Sequence, residues 1–185
     1  MLETHRLILR PWRLSDAPKL YEALQNTTDN DYMPLPHFKD DKEARDYIIN
    51  TLSNKTQFAV ADKESDIIVG GGTVALTPDS EELPKCGDDG FLDFWIATDK
   101  RHQNLADELV EVVLSEAFIT LKVRSLWCRA IAANYAAHNL LMEHGFLPSE
   151  QYSRTFTNID DEKATDILYL TANNWASHWG ITLDE

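Results

Sequence analysis

The sequence predicts an α/β (α+β) fold: one domain over residues 1–185, with a mixed, mostly antiparallel central sheet of about seven strands flanked by about four helices. Three observations predict it. The 185 residues hold no Pro/Gly/Ser-rich linker, internal repeat or low-complexity tract, and that length suits one domain with a real core. Three apolar runs follow one another, QFAVAD, DIIVGGGTVAL and DGFLDFWIA, at the spacing of an antiparallel meander. Segments of helical period surround them, so the order reads β, α, α, β, β, β, α, β, α, β, β.

Each element has a local reason. HRLILRP, His5 to Pro11, alternates as a strand does and is stopped by Pro11. Ser15 then resembles an N-cap, with Asp16 in the first turn and Leu20, Ala23 and Leu24 at helical spacing. Asp29 to Phe38 holds two prolines and reads as an ordered loop, whose aromatics Tyr32 and Phe38 either line a pocket or anchor the loop. A second helix spans about Asp41 to Leu52. Gly70 to Gly72 lie inside a strand pattern, which points to a bulge or a close approach of backbone rather than a phosphate loop. A long helix from about Asn104 to Leu121 carries Leu105, Leu109, Val112, Val113, Glu116 and Ala117 in the helical period. SLWCRAI, Ser125 to Ile131, is the next strand. Asn134 then caps a helix that ends at Gly145 in the C′ position. Strands over about Gln151 to Thr157 and Thr165 to Leu170 precede a tail in which Trp175 and Trp179 stand one turn apart, to pack on the sheet or to meet a second subunit.

Composition narrows the function. No run approaches the roughly 18 apolar residues of a membrane span, and the N-terminus lacks a secretion pattern, so a cytoplasmic protein is expected. Cys86 and Cys128 read as reduced thiols rather than a disulfide or metal pair. The net charge of -14 gathers at Asp29 to Asp31, Asp40 to Asp41, Asp79 to Glu82, Asp88 to Asp89 and Asp160 to Glu162. Such a field repels nucleic acid and anionic membrane. These acids are either solvated loops and helix faces or the attraction for a cationic amine.

Strand and helix meet in DKRHQNLADEL, Asp99 to Leu109. The first N–H groups of a helix have no partners and carry partial positive charge, so such a turn is a place for an anion. Turns that hold phosphate usually carry glycine. This one has none.

THRLILRPWRLSDAPKLYEAL, FWIATDKRHQNLADEL and NYAAHNLLMEHGF, in this order, resemble the GNAT N-acetyltransferases, and within them the ribosomal-protein N-terminal acetyltransferase branch. The second stretch aligns without gaps on aromatic-Trp-Ile/Leu followed by Arg-Gly-x-Gly-x-Ala-x-Glu, and the third on Asn-x-x-Ser-x-x-x-x-x-x-x-Gly-Phe. The resemblance implies a GNAT-like domain that moves acetyl from acetyl-CoA to a primary amine: a protein N-terminus, a polyamine or a small-molecule amine. It implies that Trp95, Ile96 and Ala97 flank the pantetheine, although strand residues of this kind also serve simply as core. It further implies that Arg101, His102, Gln103, Asn104, Leu105 and Ala106 form the pyrophosphate turn and that Asn134 lies near the cofactor.

The departures have consequences. His102 and Asn104 replace both motif glycines, Ala137 replaces the serine, and Asn139 and Glu143 stand where basic residues are frequent. Glycine permits φ > 0 and close approach to phosphate, so weakened acetyl-CoA binding is expected. Arg101 and Lys100 are the cations left to offset the cofactor's charge. Transfer to an amine calls for a proton acceptor and a stabilised oxyanion, and for no metal. Phe91 occupies the position of the branch's usual acid and Leu141 that of a tyrosine acid. Asp93 is the first candidate base, with an edge-exposed or salt-bridged acid as its alternative; His37 is the second, against a plain surface histidine. The alternative function is a GNAT-fold binding or regulatory module with a degenerate CoA site. A monomer or homodimer fits either.

Overall fold

The computed structural model describes residues 1–25, 35–54, 56–75, 89–150 and 165–183. Tyr32, Cys86, Asp88, the acidic tracts 29–31, 79–82 and 160–162, and the strand expected over 151–157 lie outside the described residues. Within them run β1 (Leu2–Glu3), β2 (Leu7–Arg10), α1 (Ala17–Gln25), α2 (Asp41–Tyr47), β3 (Gln57–Asp62), β4 (Ile68–Ala75), β5 (Asp89–Ile96), α3 (Leu105–Ser115), β6 (Ser125–Ile131), α4 (Tyr135–Glu143), β7 (Leu147–Pro148), β8 (Thr165–Thr171) and α5 (Ala172–Trp179). The architecture is the expected α/β one. The two-residue strands β1 and β7 are too short for an alternation pattern to reveal.

The chain divides into two compact units, Met1–Thr73 with Phe94–Val112, and Val74–Asp93 with Val113–Glu185. In the first, β1, β2, β3 and β4 pair antiparallel in that order, with Leu9 opposite Leu2 and Val60, and Phe58 opposite Gly72. The register shifts at Val60/Ala61, so an irregularity does occur beside the glycines. Trp12, Leu20, Leu24, Phe38, Ala44, Ile48 and Ile68 form one buried cluster. Phe38 therefore anchors its loop: its ring lies 5.4 Å from that of Tyr47, and its carbonyl accepts from Gln25 Nε2 at 3.0 Å.

The start of the first helix corrects the reading of Ser15. A 3₁₀ turn over Leu14–Asp16 precedes α1 and takes in Ser15, so Ser15 is not the cap. The N-terminal carboxylate there is that of Asp16, which accepts the Arg13 N–H at 2.8 Å. Asp16 also takes a two-pronged bond from Arg10, at 2.7 and 2.9 Å, with both side chains almost wholly buried. Burial alone would strip both charges of water at a cost of several kcal/mol each, so the fork geometry is what makes the pair tolerable. Hydrogen bonding to Asp16 holds Arg10 above the ordinary arginine range. Asp40, by contrast, caps α2 as its type predicts, accepting from Glu43 N–H at 2.9 Å.

In the second unit β5 and β6 pair parallel, from Asp89↔Ser125 to Leu92↔Cys128. The intervening α3 supplies the crossover that a parallel pair needs. β8 lies antiparallel to β6 along its whole length, and β7 pairs with β8. Asn134 caps α4 as expected, accepting from Ala137 N–H at 3.2 Å, and Gly145 follows at φ 90°. Trp175 is buried with its ring 5.2 Å from that of Phe118, so this part of the tail packs within the chain, while Trp179 is half exposed. Asp89 is not a solvated acid: it is buried and accepts from Ser125 Oγ at 2.7 Å.

Candidate acetyl-CoA site

The site begins at the end of β5, in the first unit. Ala97 N–H bonds Val69 O at 2.8 Å, which holds the outgoing chain beside β4. Gly70 is required here, because a Cβ would stand 2.3 Å from the backbone oxygen of Trp95. A Cβ on Gly71 would meet Trp12 Cζ2 at 2.8 Å and Trp95 Nε1 at 3.0 Å. The expected close approach of backbone is thus realised at Gly70, and the Trp95 indole packs toward Trp12 and the buried cluster. Ile96 and Ala97 are buried.

Beyond Ala97 a 3₁₀ turn over Thr98–Lys100 is closed by the Lys100 N–H to Ala97 O bond, 2.9 Å. Arg101 turns back and donates from Nε to Ile96 O at 3.0 Å, bracing the turn against the strand it left. Burial pulls the Arg101 guanidinium below its ordinary range. Lys100 pairs with Asp99 at 3.1 Å. Both cations that the sequence offers thus have commitments inside the turn.

His102 and Asn104 have φ of 59° and 58°. Both positions where the motif has glycine adopt the left-handed conformation that glycine would take, without glycine. Asn is well suited to it and His less so. After Asn104 the helix begins: Glu108 N–H bonds Asn104 O at 3.4 Å, so the N–H groups of Leu105, Ala106 and Asp107 precede the helical ladder. The turn therefore retains the backbone shape of an anion cradle and fits a pyrophosphate, with two side chains added at its rim. His102, Gln103 and Asn104 are all exposed.

The first turn of α3 is tied to the N-terminal hairpin. The Glu108 carboxylate accepts from Thr4 Oγ1 at 2.7 Å, from Arg6 Nε at 2.5 Å and from Arg6 N–H at 3.3 Å. Burial pushes the Glu108 carboxyl up, but these hydrogen bonds outweigh it and hold it below its ordinary value. Thr4 and Arg6 belong to the opening THRLILR motif and Glu108 to the turn motif, 102 residues away from Arg6. Sequence reasoning gave Thr4 and Arg6 no role; the opposite charges of Arg6 and Glu108 were a signal for the ion pair, and Thr4 offered only a hydroxyl donor.

His37, in the same unit, is exposed on the loop before α2. In the second unit Asp93 is half-buried on β5, one residue past the last β5·β6 pair. Burial pushes the Cys128 thiol far up, the Asp93 charge adds to this, and Arg129 opposes it. Asn134 is the N-cap of α4, and Leu141 is fully buried. One turn after Asn134, His138 Nε2 lies 3.5 Å from Asp166. Among the described residues no group of three or more metal-ligating side chains occurs, and no helix is long and apolar enough to cross a membrane.

A strand leading through a turn of left-handed residues into a helix N-terminus defines a class of nucleotide- and CoA-type anion sites. The family profile of the acetyltransferase (GNAT) domain matches residues 6–147, and the chain belongs to that family. Comparison with curated protein sequences found no significant match. Solved structures share the fold at low identity. A GNAT-family acetyltransferase from Bacillus anthracis is 16% identical over 92% of this chain and 98% of its own, with a TM-score of 0.71. A Vibrio cholerae protein provisionally described as a ribosomal-protein-serine acetyltransferase is 17% identical over 91% and 95%, with a TM-score of 0.69. Spermidine N-acetyltransferase from Vibrio cholerae, solved with CoA and spermine, is 15% identical over 93% and 99%, with a TM-score of 0.70.

Proposed function

We propose that this chain is an acetyl-CoA-dependent N-acetyltransferase acting on a primary amine by direct attack on the thioester. The observation that carries the reading is the left-handed backbone of His102 and Asn104, which keeps the glycine-type cradle in a turn that lacks glycine. Bound there, acetyl-CoA supplies an activated acetyl group. The chain's own part is to hold the pyrophosphate on the N–H groups from His102 to Ala106, to align the pantetheine along Trp95, Ile96 and Ala97, and to add Asn134 as a cofactor residue. Asp93, or His37 in its place, accepts the proton that the amine gives up. The acidic surface, net charge -14, favours a cationic acceptor such as a protein N-terminus, a polyamine or a small amine.

Calorimetry with acetyl-CoA, followed by a thiol-release assay over a panel of amines, tests this. Binding and turnover with at least one amine are expected. Binding without turnover on any amine identifies a binding or regulatory module instead. Neither binding nor thermal stabilisation by acetyl-CoA overturns the reading.

A further inference from the structure

We propose that Arg6 is a positioning residue for acetyl-CoA: by masking Glu108 it keeps an anionic side chain from competing with the pyrophosphate for the first turn of α3. The proposal rests on the acetyl-CoA reading above. An acid in the first turn of a helix is favourable for the helix itself, because it faces the positive end of the dipole. At a helix that must also hold a diphosphate, the same acid is a rival and a source of repulsion. α3 has two acids there, Asp107 and Glu108.

The structure commits Glu108 elsewhere. Its carboxylate receives the Thr4 hydroxyl and the Arg6 guanidinium and N–H. The Thr4 oxygen itself accepts from Leu7 N–H at 2.9 Å and from Arg6 N–H at 3.3 Å, which leaves its proton for Glu108. The arrangement aims the carboxylate at the β1–β2 hairpin and neutralises it there. The neighbouring charges cannot do this work. Lys100 pairs with Asp99, and Arg101 donates to Ile96 O. His102 is exposed, and Asp107 is a second negative charge. With Arg6 39% and Glu108 21% exposed, salt reaches the pair, so its effect on an anionic ligand is screenable.

The test is acetyl-CoA affinity, by calorimetry at low and high salt, of the full chain and of Arg6→Met, Glu108→Gln and the double variant, with cofactor-free melting as the control for folding. Arg6→Met is expected to bind about fivefold more weakly at low salt, with the loss shrinking at high salt, on the scale of one charge at a helix end. Glu108→Gln is expected within about twofold of the parent, and the double variant to recover most of the loss, since the unmasked charge is gone. A brace that only holds the helix in place would make Glu108→Gln as harmful as Arg6→Met and the double variant no better, at both salts; that result overturns the proposal. If Arg6→Met does not fold, Arg6→Gln, which keeps a donor without the charge, carries the same expectation. Unchanged affinity in the folded Arg6 variant sinks the masking role alone, whereas a parent chain that does not bind acetyl-CoA sinks the reading beneath it as well.

Discussion

Replacing His102 by glycine tests the turn most directly. An L-residue in the left-handed region costs roughly 1–2 kcal/mol, and His102 sits there at φ 59°. Glycine removes that cost but loses about 0.5–1 kcal/mol more chain entropy on folding. His102→Gly is therefore expected to stabilise the chain by about 0.5–1 kcal/mol, which for this size is about 1–4 °C in Tm. Asn104→Gly should be close to neutral, because asparagine tolerates φ 58° better. His102→Val, β-branched at the same φ, should lose about 1 kcal/mol or more. Urea unfolding and melting curves give the stabilities, and calorimetry gives acetyl-CoA affinity, which should rise in His102→Gly as the Cβ leaves the rim of the cradle. A His102→Val variant as stable as the parent, or a His102→Gly variant less stable than it, would refute the left-handed assignment and the cradle built on it.

Other outcomes follow from the same geometry. Arg10→Met strands the buried Asp16 carboxylate and should cost about 3–5 kcal/mol in urea unfolding, whereas Arg10→Met with Asp16→Leu should recover most of it. Glu108, held below its ordinary 4.5 when folded, contributes stability that is present above that value and lost as the pH falls through the lower folded one. Stability measured from pH 6 to pH 3 should accordingly fall less steeply in Glu108→Gln than in the parent. Cys128, with its thiol pushed up by burial, should resist thiol reagents at pH 8 in a Cys86→Ser background until the chain is unfolded. Labelling at the rate of a free thiol in the folded protein would contradict that burial.

Much of the fold is legible because its signals are local. Alternation in SLWCRAI, the Asn134 cap and Gly145 at a helix end each act within a few residues, and the structure has them in those roles. The Ser15 reading failed because cap preference is weaker than a buried ion pair: Arg10 claims Asp16, and the chain winds as a 3₁₀ turn to deliver it. The turn at Asp99 to Leu109 was recognisable as a strand-to-helix anion site from composition and order alone. Whether it kept its shape was not recognisable, since a residue other than glycine takes φ > 0 only where the surrounding structure holds it there.

By itself, then, the sequence determined the family, the order of elements and the place of the turn, because periodicity, capping and motif spacing are properties of neighbouring residues. Only the tertiary structure decided that His102 and Asn104 hold the left-handed conformation, that Trp95 O needs Gly70 bare, and that Thr4 and Arg6 meet Glu108. The last two depend on contacts between segments far apart in the chain, and the first on a turn braced by Arg101 against Ile96 O. Local preference is worth at most about 1–2 kcal/mol per residue, and packing against a distant backbone or a charge-assisted bond outweighs it.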